Sequence, residues 1–180
     1  MTSILWRALD HPGHEAARLV DLDLGWRLEG AGAFVDEGRV CSLTYRIDID
    51  DAWQTRSASV IGWAGDRDIH LEILVDHDLR WWMNRAEVES VAGCIDIDLN
   101  FSPSTNVLPI RRLDLNVGDE ALVRAAWLRF PSFELEVLEQ RYRRLTRDKY
   151  TYTSGEFTAE ITVNETGLAT EYAGLWVAER

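Results

Sequence analysis

Apolar and polar residues alternate with a period of two from one end of this chain to the other, and this pattern constrains the fold more than any other feature. Between Arg39 and Asp50, apolar residues occupy every second position from Cys41 to Ile49, with polar residues between them. Successive side chains of a β-strand point to opposite faces, so the pattern predicts a strand with one buried face. Because no helical periodicity of useful length competes with it, the sequence predicts an all-β fold.

The same alternation predicts a meander of about a dozen short strands. Glycine-containing turns, such as Asp36-Glu37-Gly38, separate the strands and supply the positive φ that hairpins need. A short helical turn is expected at residues 85–90, and residues 100–112 form the longest stretch without alternation, which makes them the main candidate for a functional loop. Besides 39–50, the predicted strands are residues 4–9, 15–22, 26–35, 53–63, 69–75, 79–84, 95–99, 120–130, 133–146, 150–153, 157–163 and 168–176. In the strand 53–63, one face is expected to carry Trp53, Thr55, Ser57, Ser59, Ile61 and Trp63.

A sheet of so many short antiparallel strands cannot lie flat, because the right-handed twist accumulates and the edges must be paired or covered. The predicted fold is therefore an antiparallel barrel or a strongly curved half-barrel with one or two short helical turns. No linker-like segment divides the 180 residues, so one domain over residues 1–180 is expected. Such a barrel holds either its own side chains or a ligand.

Charge and hydropathy limit the partners and the location. The net charge of −12 is spread along the chain and would repel a phosphate backbone, so nucleic acid is not an expected partner. Arg7 and Asp10 interrupt the apolar residues of the N-terminus, and no window approaches the roughly 20 apolar residues of a transmembrane helix. A cytoplasmic protein is expected, in which Cys41 and Cys94 are small buried apolar residues rather than a disulfide.

Two aspartates are the clearest candidates for chemistry. Asp96 and Asp98 alternate with apolar residues, so their carboxylates share one face of a strand, about 7 Å apart. If buried, such a pair would have split pKa values and could act as acid and base. The alternative is structural charge pairing, for which Arg111 and Arg112 lie nearby. No spacing matches a metal signature or a phosphate-binding loop, so neither a metal nor another cofactor is expected.

The segment DIDLNFSPSTNVLPIRRLDL, residues 96–115, resembles the bacterial putative glycolipid-binding family, formerly a domain of unknown function. Further matching segments are AAWLRFP, LEQRYRRL, YTYTSGEFTAEITVNETGL and YAGLW, at residues 125–131, 138–145, 150–168 and 172–176. The resemblance implies an antiparallel fold similar to the open β-barrels of lipid and lipoprotein carriers, with an apolar interior and a polar mouth. It also implies a lipid or a glycolipid-like molecule as the partner.

Positions inside these segments become the candidate ligand-binding residues. Their amides and guanidinium groups suit hydroxyls or phosphate, and their rings suit the face of a sugar. They are Thr105, Asn106, Arg111, Arg112, Trp127, Arg129, Gln140, Tyr142 and Tyr152. For residues 106–112, a structural plug that closes one end of the barrel is an equal alternative.

Three functions follow from these observations. The leading hypothesis is a non-enzymatic binder that holds an acyl chain in the barrel interior and a polar headgroup at the mouth. The second is an enzyme acting on a small hydrophobic or sugar-bearing substrate, with Asp96 and Asp98 as acid and base. The third is a structural or protein-interaction module, which an exposed apolar patch or an unpaired edge strand would favour.

Overall fold

A computed structural model describes residues 1–179 as one sheet of fifteen strands with a single short α-helix. The strands are β1 (Thr2–Ala8), β2 (Gly13–Leu22), β3 (Gly25–Asp36), β4 (Arg39–Ile49), β5 (Thr55–Ala64), β6 (Arg67–Val75), β7 (Trp81–Met83), β8 (Ala86–Glu87), β9 (Asp96–Leu99), β10 (Glu120–Arg129), β11 (Glu134–Arg144), β12 (Lys149–Ser154), β13 (Phe157–Val163), β14 (Ala169–Tyr172) and β15 (Trp176–Ala178). The helix is α1 (Val107–Leu113), and 3₁₀ turns lie at Glu89–Val91 and Ser104–Asn106. The predicted all-β class is confirmed.

The sheet is a meander in which the two ends of the chain meet in the middle. Its strand order is β8-β7-β6-β5-β4-β3-β2-β1-β15-β14-β13-β12-β11-β10-β9, and β1 pairs with β15. All neighbours are antiparallel except β9 and β10, which are parallel. Within residues 1–179, the edge strands β8 and β9 do not pair with each other, so the sheet is open rather than a closed barrel.

Strong curvature brings the two edges of the open sheet together. The backbone N–H of Thr55, at the start of β5, donates to the carbonyl of Ile95 at 3.2 Å, and the Thr55 hydroxyl accepts from the backbone N–H of Ile97 in β9 at 3.1 Å. Because β5 and β9 are eleven places apart in the strand order, these bonds require the sheet to wrap around its own interior. The half-barrel alternative therefore describes the fold.

The alternation in β4 is confirmed, and that in the next strand is corrected. Cys41, Leu43, Tyr45, Ile47 and Ile49 are all buried on one face of β4. In β5 the buried residues include Ala58 and Val60, whereas Ile61 and Trp63 lie on the outer face with exposed fractions of 49% and 41%. Trp53 lies in the preceding turn at φ 62° and does not share the face of these residues.

Two other segments differ from the sequence prediction in their local structure. Residues 85–90, predicted as a helical turn, contain the two-residue strand β8 and then the 3₁₀ turn of Glu89–Val91. Residues 168–176, predicted as one strand, are divided between β14 and β15 by a turn at Ala173–Leu175. In both places the elements are shorter than the windows over which periodicity can be recognised.

The segment that lacks alternation forms a plug inside the half-barrel. Parallel neighbours need a crossover connection, and residues 100–119, including α1, cross over from β9 to β10. Residues 101–110 are all buried, among them Val107, Leu108 and Ile110 of the helix. We refer to residues 101–113 as the plug, because they fill the space that the curved sheet surrounds.

Candidate functional site

An aromatic cleft opens between the plug and the second half of the sheet. It has a volume of about 300 Å³, within the range of small-molecule sites. Strands β9 to β15 and the start of the plug supply its walls. The residues that line it are Asp98, Asn100, Ser102, Pro103, Asn106, Trp127, Leu138, Tyr152, Ser154, Phe157, Tyr172, Leu175 and Trp176.

Aromatic rings dominate one wall of the aromatic cleft. The ring of Tyr152 packs edge to face against Tyr142, Tyr172 and Phe157, with centroids 5.3, 5.9 and 6.1 Å apart. Trp127 lies opposite Asp98 in the parallel pairing of β10 and β9, so both side chains point to the cleft. Rings held in this way offer rigid apolar faces at a low entropic cost.

The carboxylate of Asp98 is the ionisable group in the wall of the aromatic cleft. It accepts a hydrogen bond from Nε2 of Gln140 at 2.5 Å. The pKa of Asp98 is raised from 3.8 to about 6. Burial is the main cause, the negative charge of Asp96 adds to the rise, and the hydrogen bond from Gln140 lowers the pKa. Among residues 1–179, no cation forms an ion pair with this carboxylate. Asp98 can therefore accept hydrogen bonds from a bound hydroxyl when ionised and donate one when protonated.

The second aspartate of the predicted pair has a structural role. Asp96 is buried, and both of its carboxylate oxygens are bound by the guanidinium of Arg112, at 3.0 Å to Nε and 2.5 Å to Nη2. Burial raises the pKa of Asp96, while the bond and the charge of Arg112 lower it. This bidentate pair fixes the end of α1 to β9. The two aspartates share a face of β9, as predicted, but the carboxylate of Asp96 is occupied by its ion pair with Arg112 of the plug.

A chain of buried polar side chains supports the aromatic cleft from behind. The Tyr142 hydroxyl donates to Oδ1 of Asn106 at 2.8 Å, and the Asn106 amide donates to the carbonyl of Pro103 at 3.1 Å. Burial raises the pKa of Tyr142 well above 10.0, so the hydroxyl remains a donor. Gln140, buried beside Tyr142, orients Asp98 through the bond already described.

A second buried network lies on the other side of the plug, behind Ser102. Oε1 of Glu15 in β2 accepts hydrogen bonds from the hydroxyls of Tyr45 and Ser102, both at 2.6 Å, and Oγ of Ser104 lies 2.7 Å from that of Ser102. Oε2 of Glu15 has no hydrogen-bond partner in the part of the chain that the structure describes. Burial raises the pKa of Glu15 from 4.5 to about 7, although the bonds from Ser102 and Tyr45 lower it.

The remaining predicted residues lie outside the aromatic cleft. Thr105 is buried, and its hydroxyl accepts from the backbone N–H of Leu99 at 3.3 Å. The exposed Arg129 pairs with Glu136 at 3.3 Å, and its guanidinium lies over the Trp127 ring, 5.7 Å from the centroid, at the edge of the cleft. Of the nine candidates, Asn106, Trp127 and Tyr152 line the aromatic cleft, and Gln140 and Tyr142 support it.

Arg111 belongs to a different cleft at the far end of the plug. This arginine cleft, about 480 Å³, also contains Arg144 and Arg147, but Asp114, Asp148 and Glu165 balance their charge. Backbone carbonyls bind Arg144, and Arg111 lies over the ring of Trp53, 5.0 Å from its centroid. The arginine cleft is therefore a charged surface groove with few apolar residues.

Two further depressions lie on the surface. A cleft of about 280 Å³ lies beside the aromatic cleft and is lined by Asp10, His11, Phe34, Val35, Asp36, Glu37, Asn100, Phe101 and Phe130, and we call it the phenylalanine cleft. A larger depression, about 920 Å³, lies mainly over the outer face of β1 to β4, where Ala16 and Ala31 leave the surface low. It has no aromatic ring except that of Tyr45, whose side chain points inward, so its size alone does not identify a site.

Sequence reasoning missed several of these residues. Glu15 could have been recognised, because it alternates with Ala17 and Leu19 and therefore points to the apolar face of β2. Tyr172 and Trp176 lie in a segment that matches the family, but no local signal distinguishes them from core residues. Ser102 and Asn100 could not have been assigned to a cleft, because their positions depend on the course of the crossover.

The fold and the aromatic cleft together define a class of protein in which an open, curved β-sheet wraps around a plug and leaves a cleft at one rim. Residues 3–178 match the model of a family described as "Putative glycolipid-binding", and the chain belongs to that family. The resemblance inferred from the sequence is thus confirmed. The chain is also similar to a DUF1089 family protein from Pseudomonas aeruginosa, known from a crystal structure, with 33% identity, a TM-score of 0.82 and coverage of 91% of this chain and 90% of that one. Among curated proteins, none matches the chain.

Within residues 1–179, neither a cluster of metal-binding side chains nor a membrane-spanning helix is present. No group of three or more His, Cys, Asp or Glu side chains suited to a metal ion is present in residues 1–179. In the same residues, no helix combines the length and the apolar character needed to cross a bilayer. Cys41 and Cys94 are both buried free thiols, as the sequence predicted.

Proposed function

We propose that this protein binds a sugar-bearing amphipathic ligand of the glycolipid class, with the sugar in the aromatic cleft. The observation that carries the proposal is the composition of this cleft: Trp127, Tyr152 and Phe157 supply ring faces, and Asp98 and Asn106 supply hydrogen-bonding groups within the same 300 Å³. Aromatic faces beside carboxylates and amides suit the C–H faces and the hydroxyls of a sugar. Membership of the family supports the same ligand class.

The plug changes where the acyl chain can lie. The sequence prediction placed this chain in the barrel interior, with the headgroup at the mouth. Buried plug residues fill that interior, from Phe101 to Ile110, so a chain there would have to displace the whole segment. We therefore assign the mouth of the half-barrel to the sugar and exclude the filled interior as the place of the chain.

The enzymatic alternative is supported by one observation and weakened by another. Asp98 lines the aromatic cleft with a pKa raised to about 6 by burial, a suitable value for a general acid or base. Asp96, the second member of the predicted acid and base pair, has both carboxylate oxygens bound by Arg112 and cannot exchange protons freely. A two-carboxylate mechanism therefore lacks its second group, and we favour binding over catalysis.

The alternative of an interaction module has weaker support. The edge strands β8 and β9 are only two and four residues long, and bonds from β9 to Thr55 cover part of that edge. Short or covered edges offer little backbone for pairing with another chain.

The test is a titration of the full chain with octyl β-D-glucoside, octyl β-D-galactoside and octyl β-D-mannoside below their critical micelle concentrations, followed by calorimetry. We expect saturable binding of at least one glycoside, weakened about fivefold or more by Trp127→Ala, because a central aromatic contact contributes over about 1 kcal/mol. Trp63→Ala removes a tryptophan from the outer face, where 41% of its surface is exposed, and should leave the affinity unchanged. Failure of all three glycosides to bind, or equal losses in both variants, would contradict the proposal.

A further inference from the structure

The phenylalanine cleft lies on the same rim of the half-barrel as the aromatic cleft, and its chemistry is different. Phe34 at the end of β3, Phe101 at the start of the plug and Phe130 after β10 form its apolar walls. The ring centroid of Phe34 is 5.4 Å from that of Phe130 and 6.4 Å from that of Phe101. One side of this cleft of about 280 Å³ is thus formed by rings that pack against one another.

The two clefts are neighbours with a common wall. Asn100 lines both of them, and the next two residues divide between them, Phe101 to the phenylalanine cleft and Ser102 to the aromatic cleft. On the opposite side, the ring of His11 from one cleft packs edge to face on Trp176 from the other, with centroids 5.6 Å apart. A ligand whose polar part occupies the aromatic cleft therefore has an apolar surface directly beside it.

The charges at the lip of the phenylalanine cleft restrict what can enter it. Asp10, Asp36 and Glu37 lie at the lip, where Asp10 binds His11 at 2.6 Å and Asp36 binds Arg39 at 2.8 Å. These carboxylates repel any ligand that carries a negative charge, and the net charge of −12 on the whole chain adds to this repulsion. A neutral alkyl chain meets no such penalty, and its own apolar surface leaves water when it packs against the phenylalanine side of the cleft.

We propose that the phenylalanine cleft is the subsite for the acyl or alkyl chain of the ligand, adjoining the sugar in the aromatic cleft. This inference rests on the proposed function and gives the chain a place outside the filled interior. The volume of about 280 Å³ equals that of about nine water molecules at about 30 Å³ each. It accommodates the first part of a chain, and the remainder extends along the surface.

The experiment compares methyl, butyl, hexyl and octyl β-glycosides of the sugar that binds best, with the full chain, below the critical micelle concentrations. Affinity should rise with each added methylene, by at most about fourfold, because a buried methylene is worth about 0.8 kcal/mol. Phe130→Ala should reduce this dependence on chain length while leaving the affinity for the methyl glycoside unchanged. Phe157→Ala, the same substitution in the neighbouring cleft, should weaken all four glycosides by a similar factor.

The outcomes separate the two proposals. Equal affinities for all four glycosides in the wild type would overturn the subsite and leave the sugar cleft standing. A dependence on chain length that survives Phe130→Ala would place the chain elsewhere and also overturn the subsite. Alternatively, long glycosides could bind through Phe130 although Trp127→Ala has no effect, which would support the subsite and reject the sugar cleft. Octanoate should bind at least tenfold more weakly than the octyl glycoside, and comparable binding would contradict the role of the acidic lip.

Discussion

The buried carboxyl of Glu15 makes the stability of this protein depend on pH in a predictable direction. Its pKa in the folded chain is raised to about 7 from an ordinary value of 4.5, which approximates the unfolded chain. Between these two values the folded form keeps a proton that the unfolded form has lost. Stability from this group is therefore complete below pH 4.5, falls as the pH rises towards 7 and then levels off.

The expected size follows from the same two pKa values. Each unit of difference between the folded and unfolded pKa values corresponds to about 1.4 kcal/mol. Ionised Glu15 in the folded state therefore lowers the free energy of unfolding by about 3 kcal/mol relative to the protonated group. Between pH 5 and pH 8 the loss should be about 2–3 kcal/mol. Since Glu15 is only 1% exposed and Oε2 lacks a partner among the described residues, little screening reduces this cost.

Glu15→Gln removes the titration and keeps the shape of the side chain. The amide oxygen can accept the bonds from Tyr45 and Ser102, while the amide nitrogen takes the place of the unpartnered oxygen, with an effect on stability that does not change with pH. Between pH 5 and pH 8 the variant should thus gain about 2–3 kcal/mol of stability relative to the wild type.

Urea denaturation at pH 5, 6, 7 and 8, followed by the fluorescence of the eight tryptophans, measures this difference. The contribution of Asp98 is present in both proteins and cancels in the comparison. Glu156→Gln, in an exposed turn, is the control and should give a curve parallel to that of the wild type. If the curves of Glu15→Gln and the wild type were also parallel from pH 5 to pH 8, Glu15 would not titrate there in the folded state and the reasoning would be refuted.

Two further predictions concern the packing around the plug, and both are measured by urea denaturation at pH 7. Gly30→Ala should cost about 1–3 kcal/mol through overpacking, because its Cβ would clash with the Tyr45 hydroxyl and lie 2.6 Å from Cζ. Gly32→Ala, two residues along the same strand, finds no atom closer than 3.8 Å and should be nearly neutral, so an equal cost in both would contradict this account. Arg112→Met should cost about 3–5 kcal/mol because it leaves the buried Asp96 unpaired, whereas Arg129→Met, at the exposed pair with Glu136, should cost at most about 1 kcal/mol. Similar costs for the two arginines would show that the Asp96 pair is not buried as described.

The sequence predicted the strands well because alternation is a local signal. It was correct for β4, where five apolar residues point inward, and misleading for β5, where Ile61 and Trp63 lie on the outer face. The register of β4 and β5 shifts between Asp48 and Ile49, so that Arg56 lies opposite no residue of β4. The alternation of apolar and polar residues gives no sign of this shift. Pairings between residues distant in sequence, such as Trp6 with Ala178, leave no local trace either.

The candidate site was only partly predictable for the same reason. The absence of alternation identified residues 100–112 as a candidate functional loop, and the segments that match the family contain Asn106, Trp127 and Tyr152 of the aromatic cleft. The choice between a ligand loop and a plug depends on the parallel crossover from β9 to β10, which no local pattern specifies. Burial of all residues from 101 to 110 favours the plug, and the cleft is the space that the plug leaves open.

The buried polar groups gain a common explanation when they are considered as anchors of the plug. Glu15 and Tyr45 bind Ser102 and Ser104 from the first half of the sheet, and Tyr142 binds Asn106 from the second half. Apolar packing alone would hold the plug in the interior without fixing its register, since such contacts have little directional preference. Hydrogen bonds are directional, and two of the anchored residues, Ser102 and Asn106, also line the aromatic cleft. The hydrogen bonds of these buried groups therefore fix the shape of the cleft in which we place the sugar.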